Sequence, residues 1–571
     1  MYSVIRNVSI LVSLLKKFNV RNVVVSSGTR NIPIAISLEN DDYFKCYSII
    51  DERSAAFFGL GLIQKKQEPV AICCTSGTAV CNYLSAVTEA YYQKLPLIVI
   101  TADRNIYYLN QLEDQDIPQM SYFTEVTKKS VCLPIVNDEK SEWYCWRLIN
   151  EALLELDHHG LGPVHINVPI DIGPEEVDFS LKELPELKRI ERVSVESKRK
   201  EWEFFAKKLK NTCKILIIYG QNFRADVELI EAVEYFFQKY DCVVATELIS
   251  NLWSEGTVNL HRVFQFHAGD FLDQAKPEIV ITLGGNYVSN IKGRLKGDKW
   301  QFEHWLVSDD GMVADPFWKL TYIFECGSKM FFRYMAELGG NDILEHSYYD
   351  IWKKNEKQFA WPSREYNDVY LVSEFMKRIP EHSLLHIANS TSIRIAELFG
   401  VKESVDVYCN RGTNGIDGSL SAFMGAASET KGLCFLLIGD LSFFYDMNGL
   451  WNRYIGKNIR ILLSNNSGAG IFHYTRSKKF MPTLDNLIGA EHDGKAKMWV
   501  ESRGFLYLSA YDIEEFEEGI IKFFDINIDR PVFFEVFTDK EIDAEALKKY
   551  YGSNKTVVNG MKKLAGKVFK V

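Results

Sequence analysis

Gly439-Asp440-Leu441 and, with its second residue 26 positions after Asp440, the pair Asn465-Asn466 are of types and spacing suited to chemistry. Each follows a short apolar run, at 435–438 and 459–464, so both stand where strands of open α/β sheets end and ligands bind. An Asp carboxylate, an Asn oxygen and a nearby backbone carbonyl such as that of Gly468 make a hard oxygen set suited to Mg²⁺. Gly439, Gly468 and Gly470 would let the main chain approach a phosphate closely. A diphosphate bridged by Mg²⁺ suits such a place. The same strings read equally as a Gly-Asp turn and an Asn helix cap.

A second set lies in the first third. Asp51-Glu52-Arg53 opens the helical stretch 54–64 and places Glu52 at a helix N-terminus, where an acid also serves as partner to the helix macrodipole. Thr75-Ser76-Gly77-Thr78-Ala79 ends another apolar run, and Asn82, Ala86 and Glu89-Ala90 follow on a helix. Ala102-Asp103-Arg104 follows the run 97–101, and Gly162-Pro163-Val164-His165-Ile166-Asn167-Val168-Pro169 closes this third.

The elements that must position these residues are short β-branched runs alternating with helical stretches: 22–26, 70–75, 97–101, 215–219, 279–283, 435–438 and 459–464. Strands separated by helices predict doubly wound parallel sheets of the α/β class. The Lys- and Glu-dense segment 181–200 and the polar stretch 352–367 suit linkers, giving three domains at about 1–180, 200–350 and 365–571. The first and last thirds share a strand–helix rhythm, as an old duplication would leave.

With 66 basic against 76 acidic residues and no basic block, the chain is not expected to bind nucleic acid. No apolar run approaches the ~20 residues of a membrane span. Residues 1–20, interrupted by Arg6, Lys16 and Lys17, read as an amphipathic helix rather than a signal peptide, so a cytoplasmic location is expected. The eleven cysteines lack metal spacing and read as reduced core thiols. Two strings mislead. Gly489 to Lys495 imitates a P-loop but runs into Ala496 where Ser or Thr is needed, and Gly59-Leu60-Gly61 is better read as close packing than as a nucleotide loop.

Taken in order, Glu52 with Ser54-Ala55-Ala56, the Thr75 to Asn82 string and the Gly162 to Pro169 string resemble the pyrimidine-binding domain of thiamine-diphosphate enzymes. Gly439-Asp440 followed by Asn465-Asn466 is similar to their diphosphate-binding domain. Within that superfamily, the strings at 51–58, 101–104, 410–418 and 439–442 resemble the 2-succinyl-5-enolpyruvyl-6-hydroxy-3-cyclohexene-1-carboxylate synthase family, carboligases of menaquinone biosynthesis. The resemblance covers the first and last thirds better than the middle.

It implies three doubly wound domains (pyrimidine-binding, middle and diphosphate-binding) in a homodimer or homotetramer, with thiamine diphosphate and Mg²⁺, or Mn²⁺, as cofactors. Glu52 would hydrogen-bond the pyrimidine ring, Ile416 would be the apolar wedge that bends the cofactor, and Asp440, Asn466 and the Gly468 carbonyl would hold the metal. Gly439, Leu441, Ser442 and Ser390 would lie beside the cofactor. The implied reaction is decarboxylation of 2-oxoglutarate and 1,4-addition of the succinyl carbanion equivalent to isochorismate. Both substrates are dianions, and Arg30, Arg104, Arg394 and Arg411 match the family's substrate-facing arginines, whose guanidinium fork suits carboxylates. Thr29, Gln115 and Ser390 match its polar substrate contacts, and Ile471 and Phe472 its apolar wall.

The chain also departs from the family. Ser26-Ser27-Gly28-Thr29-Arg30 stands for Ser-Pro-Gly-Ser-Arg, keeping a hydroxyl at 29 and losing the stiffness of proline at 27. Asn105-Ile106-Tyr107-Tyr108 replaces a Pro-rich stretch, and Glu113 and Asp114 add acid before Gln115. Asn290-Ile291 follows Ser289 where a basic pair is usual, leaving Lys292 or Arg294 to substitute, and His473-Tyr474 replaces a more apolar pair. These changes bear on the acceptor pocket, and the alternative they keep open is a related 2-oxo acid decarboxylase or carboligase with another donor or acceptor, for example in surface-glycan or secondary metabolism. A non-catalytic homologue should have lost Glu52 or the metal ligands, and all are present.

Overall fold

The computed structural model describes residues 1–171, 173, 176–187, 189–190, 199–266, 271, 274–296, 300–312, 314–343, 345–356, 360–475 and 485–551. Within them lie three six-stranded sheets. The first is built from β1 (Asn22–Val25), β2 (Lys45–Ser48), β3 (Val70–Cys74), β4 (Leu97–Asp103), β5 (Lys129–Cys132) and β6 (Val164–Pro169) in the order β2-β1-β3-β4-β6-β5. The second holds β7 (Ile215–Tyr219), β8 (Cys242–Thr246), β9 (Thr257–Asn259), β10 (Ile279–Leu283), β11 (Glu303–Val307) and β12 (Leu320–Phe324) in the order β12-β11-β10-β7-β8-β9. The third holds β13 (Leu384–Ile387), β14 (Asp406–Tyr408), β15 (Cys434–Gly439), β16 (Ile459–Asn465), β17 (Leu506–Ala510) and β18 (Val532–Phe537) in the order β14-β13-β15-β16-β18-β17.

Strands run parallel to their neighbours, as in β3 on β4 and β16 on β18. Numbered within its own sheet, the third repeats the order of the first, while the middle sheet has the dinucleotide-fold order. Parallel strands covered by helices on both faces are buried throughout, which is why β3, β7, β8 and β10 are near-continuous apolar runs, broken only by Thr246 at the end of β8 and Thr282 in β10.

The described chain forms two compact units: Met1–Val195 with Asn410–Lys431 and Ser442–Ile459, and Glu196–Cys409 with Gly432–Leu441 and Arg460–Val571. In the first, the Ser419–Ser428 helix crosses the Glu52–Lys66 helix at backbone contact. A Cβ on Gly61 would fall 1.8 Å from the Ala422 carbonyl oxygen, and one on Gly425 would fall 2.0 Å from that of Phe58. Close packing is therefore what Gly61 serves. Of the segment 181–200, residues 188 and 191–198 lie outside the described residues, as do 357–359 of the stretch 352–367. That second stretch begins inside a helix, Ser347–Glu356, because Trp352 is buried against Phe264, Phe271 and Tyr348.

Candidate active site

In the first unit, Asp51 caps the helix Glu52–Lys66: its carboxylate accepts from the Ser54 amide at 3.0 Å and from Asn448 Nδ2 at 2.9 Å. Glu52 is the first helical residue, and burial, aided by the charge of Asp51, raises its carboxyl above the ordinary value.

Four of the expected substrate residues gather around the loop after β3. Gly28 lies against Thr75, where a Cβ would be 2.3 Å from the Thr75 Cβ, and the Arg30 amide donates to Thr75 Oγ1 at 3.1 Å. Thr29, between them, is exposed. The Arg30 guanidinium donates to the Ile170 carbonyl at 3.2 Å; burial and the charge of Arg104 lower its pKa, and Asp103 opposes this. Arg104 is engaged by the acids noted in the sequence: its Nε donates to the Asp114 carbonyl at 2.8 Å, and a terminal nitrogen lies 3.3 Å from the Glu113 carboxylate. Gln115, exposed and with φ of 56°, packs its backbone on Gly77, whose own φ is 81°.

What holds this group together is Gln119, which sequence reasoning missed. Its Oε1 accepts from the Gly77 amide at 2.9 Å, and its Nε2 donates to the Ala102 carbonyl at 3.1 Å and Asn167 Oδ1 at 3.0 Å. Asn167 Nδ2 then donates to Asp103 at 2.7 Å, and the other Asp103 oxygen accepts from the Arg104 amide at 2.8 Å. Burial pushes the Asp103 carboxyl up to about 6.

Arg411 and Ile416 sit on a loop held by another residue without an assigned role, Glu89. Its buried carboxylate accepts from the amides of Gly412 (2.9 Å) and Thr413 (2.7 Å) and from the Thr413 hydroxyl. Arg411 is buried, and the Ile416 carbonyl accepts from Ser442 Oγ at 2.9 Å. An acid on the apolar face of the Leu84–Gln93 helix, among Ala86, Val87 and Ala90, was the available signal.

In the second unit, Asp440 stands where β15 ends. One oxygen accepts from the Leu441 amide at 2.6 Å, the other from the amides of Asn466 at 3.1 Å and Gly468 at 2.9 Å. His492 Nε2 lies 3.3 Å from that second oxygen, and the neighbouring carboxylate raises the histidine's pKa. Asp440, Asn466 and Gly468 are thus brought together, and Gly468, with φ of 144°, takes a backbone conformation that favours glycine. One carboxylate, one amide and one carbonyl fit a hard divalent cation. Among the described residues, a Cβ on Gly439 would meet nothing within 4 Å, which leaves room on that side for phosphate oxygens.

Ser390 precedes the helix Thr391–Ala396 with φ of 74° and ψ of −126°, and its carbonyl accepts from the Arg394 guanidinium at 2.6 Å. Ile471 and Phe472 open the helix Ile471–Thr475, both half-buried. In place of the absent basic pair, Lys292 donates to Asn286 Oδ1 at 2.7 Å over the Tyr287 ring, while Arg294 lies over Phe264.

Residues 6–122 match the thiamine pyrophosphate enzyme, N-terminal TPP binding domain. Over 562 residues the chain is 39% identical to the 2-succinyl-5-enolpyruvyl-6-hydroxy-3-cyclohexene-1-carboxylate synthase of Bacteroides fragilis, covering 96% of this chain and 99% of that protein. The chain belongs to that synthase family. The synthase of Bacteroides thetaiotaomicron is 40% identical over 562 residues, covering 96% and 99% of the two chains. That of Flavobacterium psychrophilum is 32% identical over 563 residues, covering 95% and 97%. Among solved structures, benzoylformate decarboxylase from Polynucleobacter necessarius shares the fold, with a TM-score of 0.71 at 16% identity over 95% of this chain and 99% of that one. As a member of the family the chain is a thiamine-diphosphate-dependent decarboxylating carboligase, its cofactor accompanied by a divalent metal, typically Mg²⁺. No helix among the described residues is long and apolar enough to cross a membrane.

Proposed function

We propose that the chain removes CO₂ from 2-oxoglutarate and adds the remaining succinyl unit to isochorismate by 1,4-addition, taking up one proton, in menaquinone biosynthesis. Bound thiamine diphosphate would supply the carbon nucleophile and the electron sink. Glu52 would hold a proton against the pyrimidine ring from its helix N-terminus, and Asp440, Asn466 and the Gly468 carbonyl would hold Mg²⁺. Ile416 would press on the cofactor, with Gly439, Leu441, Ser442 and Ser390 beside it. The observation that carries the substrate assignment is the pair Arg30 and Arg104, gathered on one loop cluster close enough for the charge of Arg104 to lower the pKa of Arg30. Two such cations favour a dianion. With Thr29 and Gln115 they would face the acceptor, while Arg394 and Arg411 would hold the distal carboxylate of the donor and Ile471 and Phe472 the apolar side. We further propose that the enzyme works in the cytoplasm as a homodimer or homotetramer, which light scattering of the purified protein distinguishes.

The test is a donor and acceptor panel with thiamine diphosphate and Mg²⁺ present. The protein should consume 2-oxoglutarate and isochorismate in equal amounts and use pyruvate poorly. Arg394→Ala should weaken the preference for 2-oxoglutarate about ten- to a hundredfold, the worth of one charge-assisted hydrogen bond. Decarboxylation without loss of isochorismate would overturn the acceptor assignment, and a preference for pyruvate would overturn the donor.

A further inference from the structure

An asparagine offers a cation only one end of its amide. The other end is a nitrogen of similar shape, and a half-turn of the side chain exchanges them. At Asn466 the nitrogen end is enclosed. Nδ2 donates to Asp543 Oδ2 at 3.2 Å, and a Cβ on Gly470 would come within 3.0 Å of it and 3.6 Å of the Lys540 Cβ. A carboxylate only accepts, so the amide oxygen turned to this side would set acceptor against acceptor. Asp543 is itself fixed. It is 5% exposed, the same Oδ2 accepts from Thr538 Oγ1 at 2.6 Å, and Oδ1 accepts from the Asp368 amide at 2.9 Å. Asp543 therefore ties the end of β16 to the segment after β18 and to the start of the Asp368–Arg378 helix.

We propose that Asp543 is a positioning residue of the metal site: by holding Nδ2 it presents the Asn466 amide oxygen to the divalent cation. This rests on the reading of Asn466 as a metal ligand. Partners that orient metal ligands in this way are worth about ten- to a hundredfold in metal affinity.

The measurement is Mn²⁺ affinity of the full-length protein in saturating thiamine diphosphate, read from the free-ion electron paramagnetic resonance signal. Asp543→Asn, with its fold checked by circular dichroism, should weaken Mn²⁺ about tenfold or more, and less than about twofold when Asn466 is already Ala. If Asn466→Ala leaves Mn²⁺ affinity unchanged, the ligand reading fails. If Asn466→Ala weakens it but Asp543→Asn either changes nothing or adds its whole loss on top, the positioning role fails. Should Asp543→Asn not fold, Thr538→Val, which deletes the hydroxyl holding the same carboxylate oxygen, carries the same cycle under the same criteria.

Discussion

Glu52 answers to two demands at once. Burial at the head of its helix raises its pKa, because the folded site favours the neutral acid over the carboxylate. With the folded-state pKa above the unfolded one, the stabilising contribution is complete below the unfolded value and is lost as pH rises through the folded one. Glu52→Gln should therefore melt at the same temperature as the native protein or higher at pH 8, while kcat falls about 10²- to 10⁴-fold. A melting temperature that drops with activity would make Glu52 a structural acid. Ser390 poses a similar conflict. Its φ of 74° and ψ of −126° are sparsely populated for a side-chain-bearing residue and carry strain of about 1–3 kcal/mol. Ser390→Gly should recover about 1 kcal/mol after the glycine's own entropy is counted, raising the thermal midpoint and lowering kcat/KM. A variant that loses stability would show the conformation to be unstrained. Type and spacing were enough to pick out the expected site residues in the sequence, but not the contacts that restrain them. Nothing near Arg104 in the chain announces that the carbonyl of Asp114 accepts from its Nε, or that Gln119 and Asn167 link its backbone to Gly77.

The strands that read clearly from sequence were those buried on both faces. β7 and β10 were expected at 215–219 and 279–283 and lie there, because a covered parallel strand is a near-continuous apolar run. Edge strands such as β2 and β5, partly exposed and mixed in composition, give no such signal. Contacts between distant elements are also silent locally. Glu89 meets Gly412 across 323 positions, and the helix behind Glu52 meets a helix some 360 residues later. That helix crossing has its own test. The Gly61 Cα faces backbone, so Gly61→Ala must drive the two helices apart and should cost about 3 kcal/mol or more. Two positions earlier, a Cβ on Gly59 would first meet the Cγ2 methyl of Ile72 at 3.0 Å, a side chain rather than backbone. There the gain in helix propensity, about 1 kcal/mol, offsets the crowding, and Gly59→Ala should be near neutral. Equal denaturation midpoints for the two variants would mean that the crossing has slack.

Each of the three sheets buries one histidine: His165 on β6, His304 on β11 and His386 on β13, all with 0% exposure. Burial lowers their pKa values to about 3, about 4 and about 3, the shift at His304 being held back by Asp315. The unfolded chain takes up a proton at each near pH 6.5, whereas the folded chain does not until much lower pH. Each therefore contributes stability that is complete above about pH 6.5 and lost as pH falls toward the folded value, about 2 kcal/mol by pH 5. Buried acids work the other way. Burial raises Asp446 to about 7 and Asp103 to about 6, so the folded state takes up protons there on acidification and recovers part of the loss. Total stability against pH mixes the two signs, but a difference between native and variant separates them, because the acids are common to both. His165→Gln and His386→Phe should each show an offset at pH 7 from altered packing, to which His165→Gln adds the loss of its hydrogen bonds to Thr101 and Ser130. Between pH 7 and pH 5 each should then lose about 2 kcal/mol less than the native protein. The two sit in separate sheets, so the double variant should lose about 4 kcal/mol less, the sum of the single effects. Parallel pH curves for variant and native protein would mean that the imidazole takes up its proton within the folded sheet.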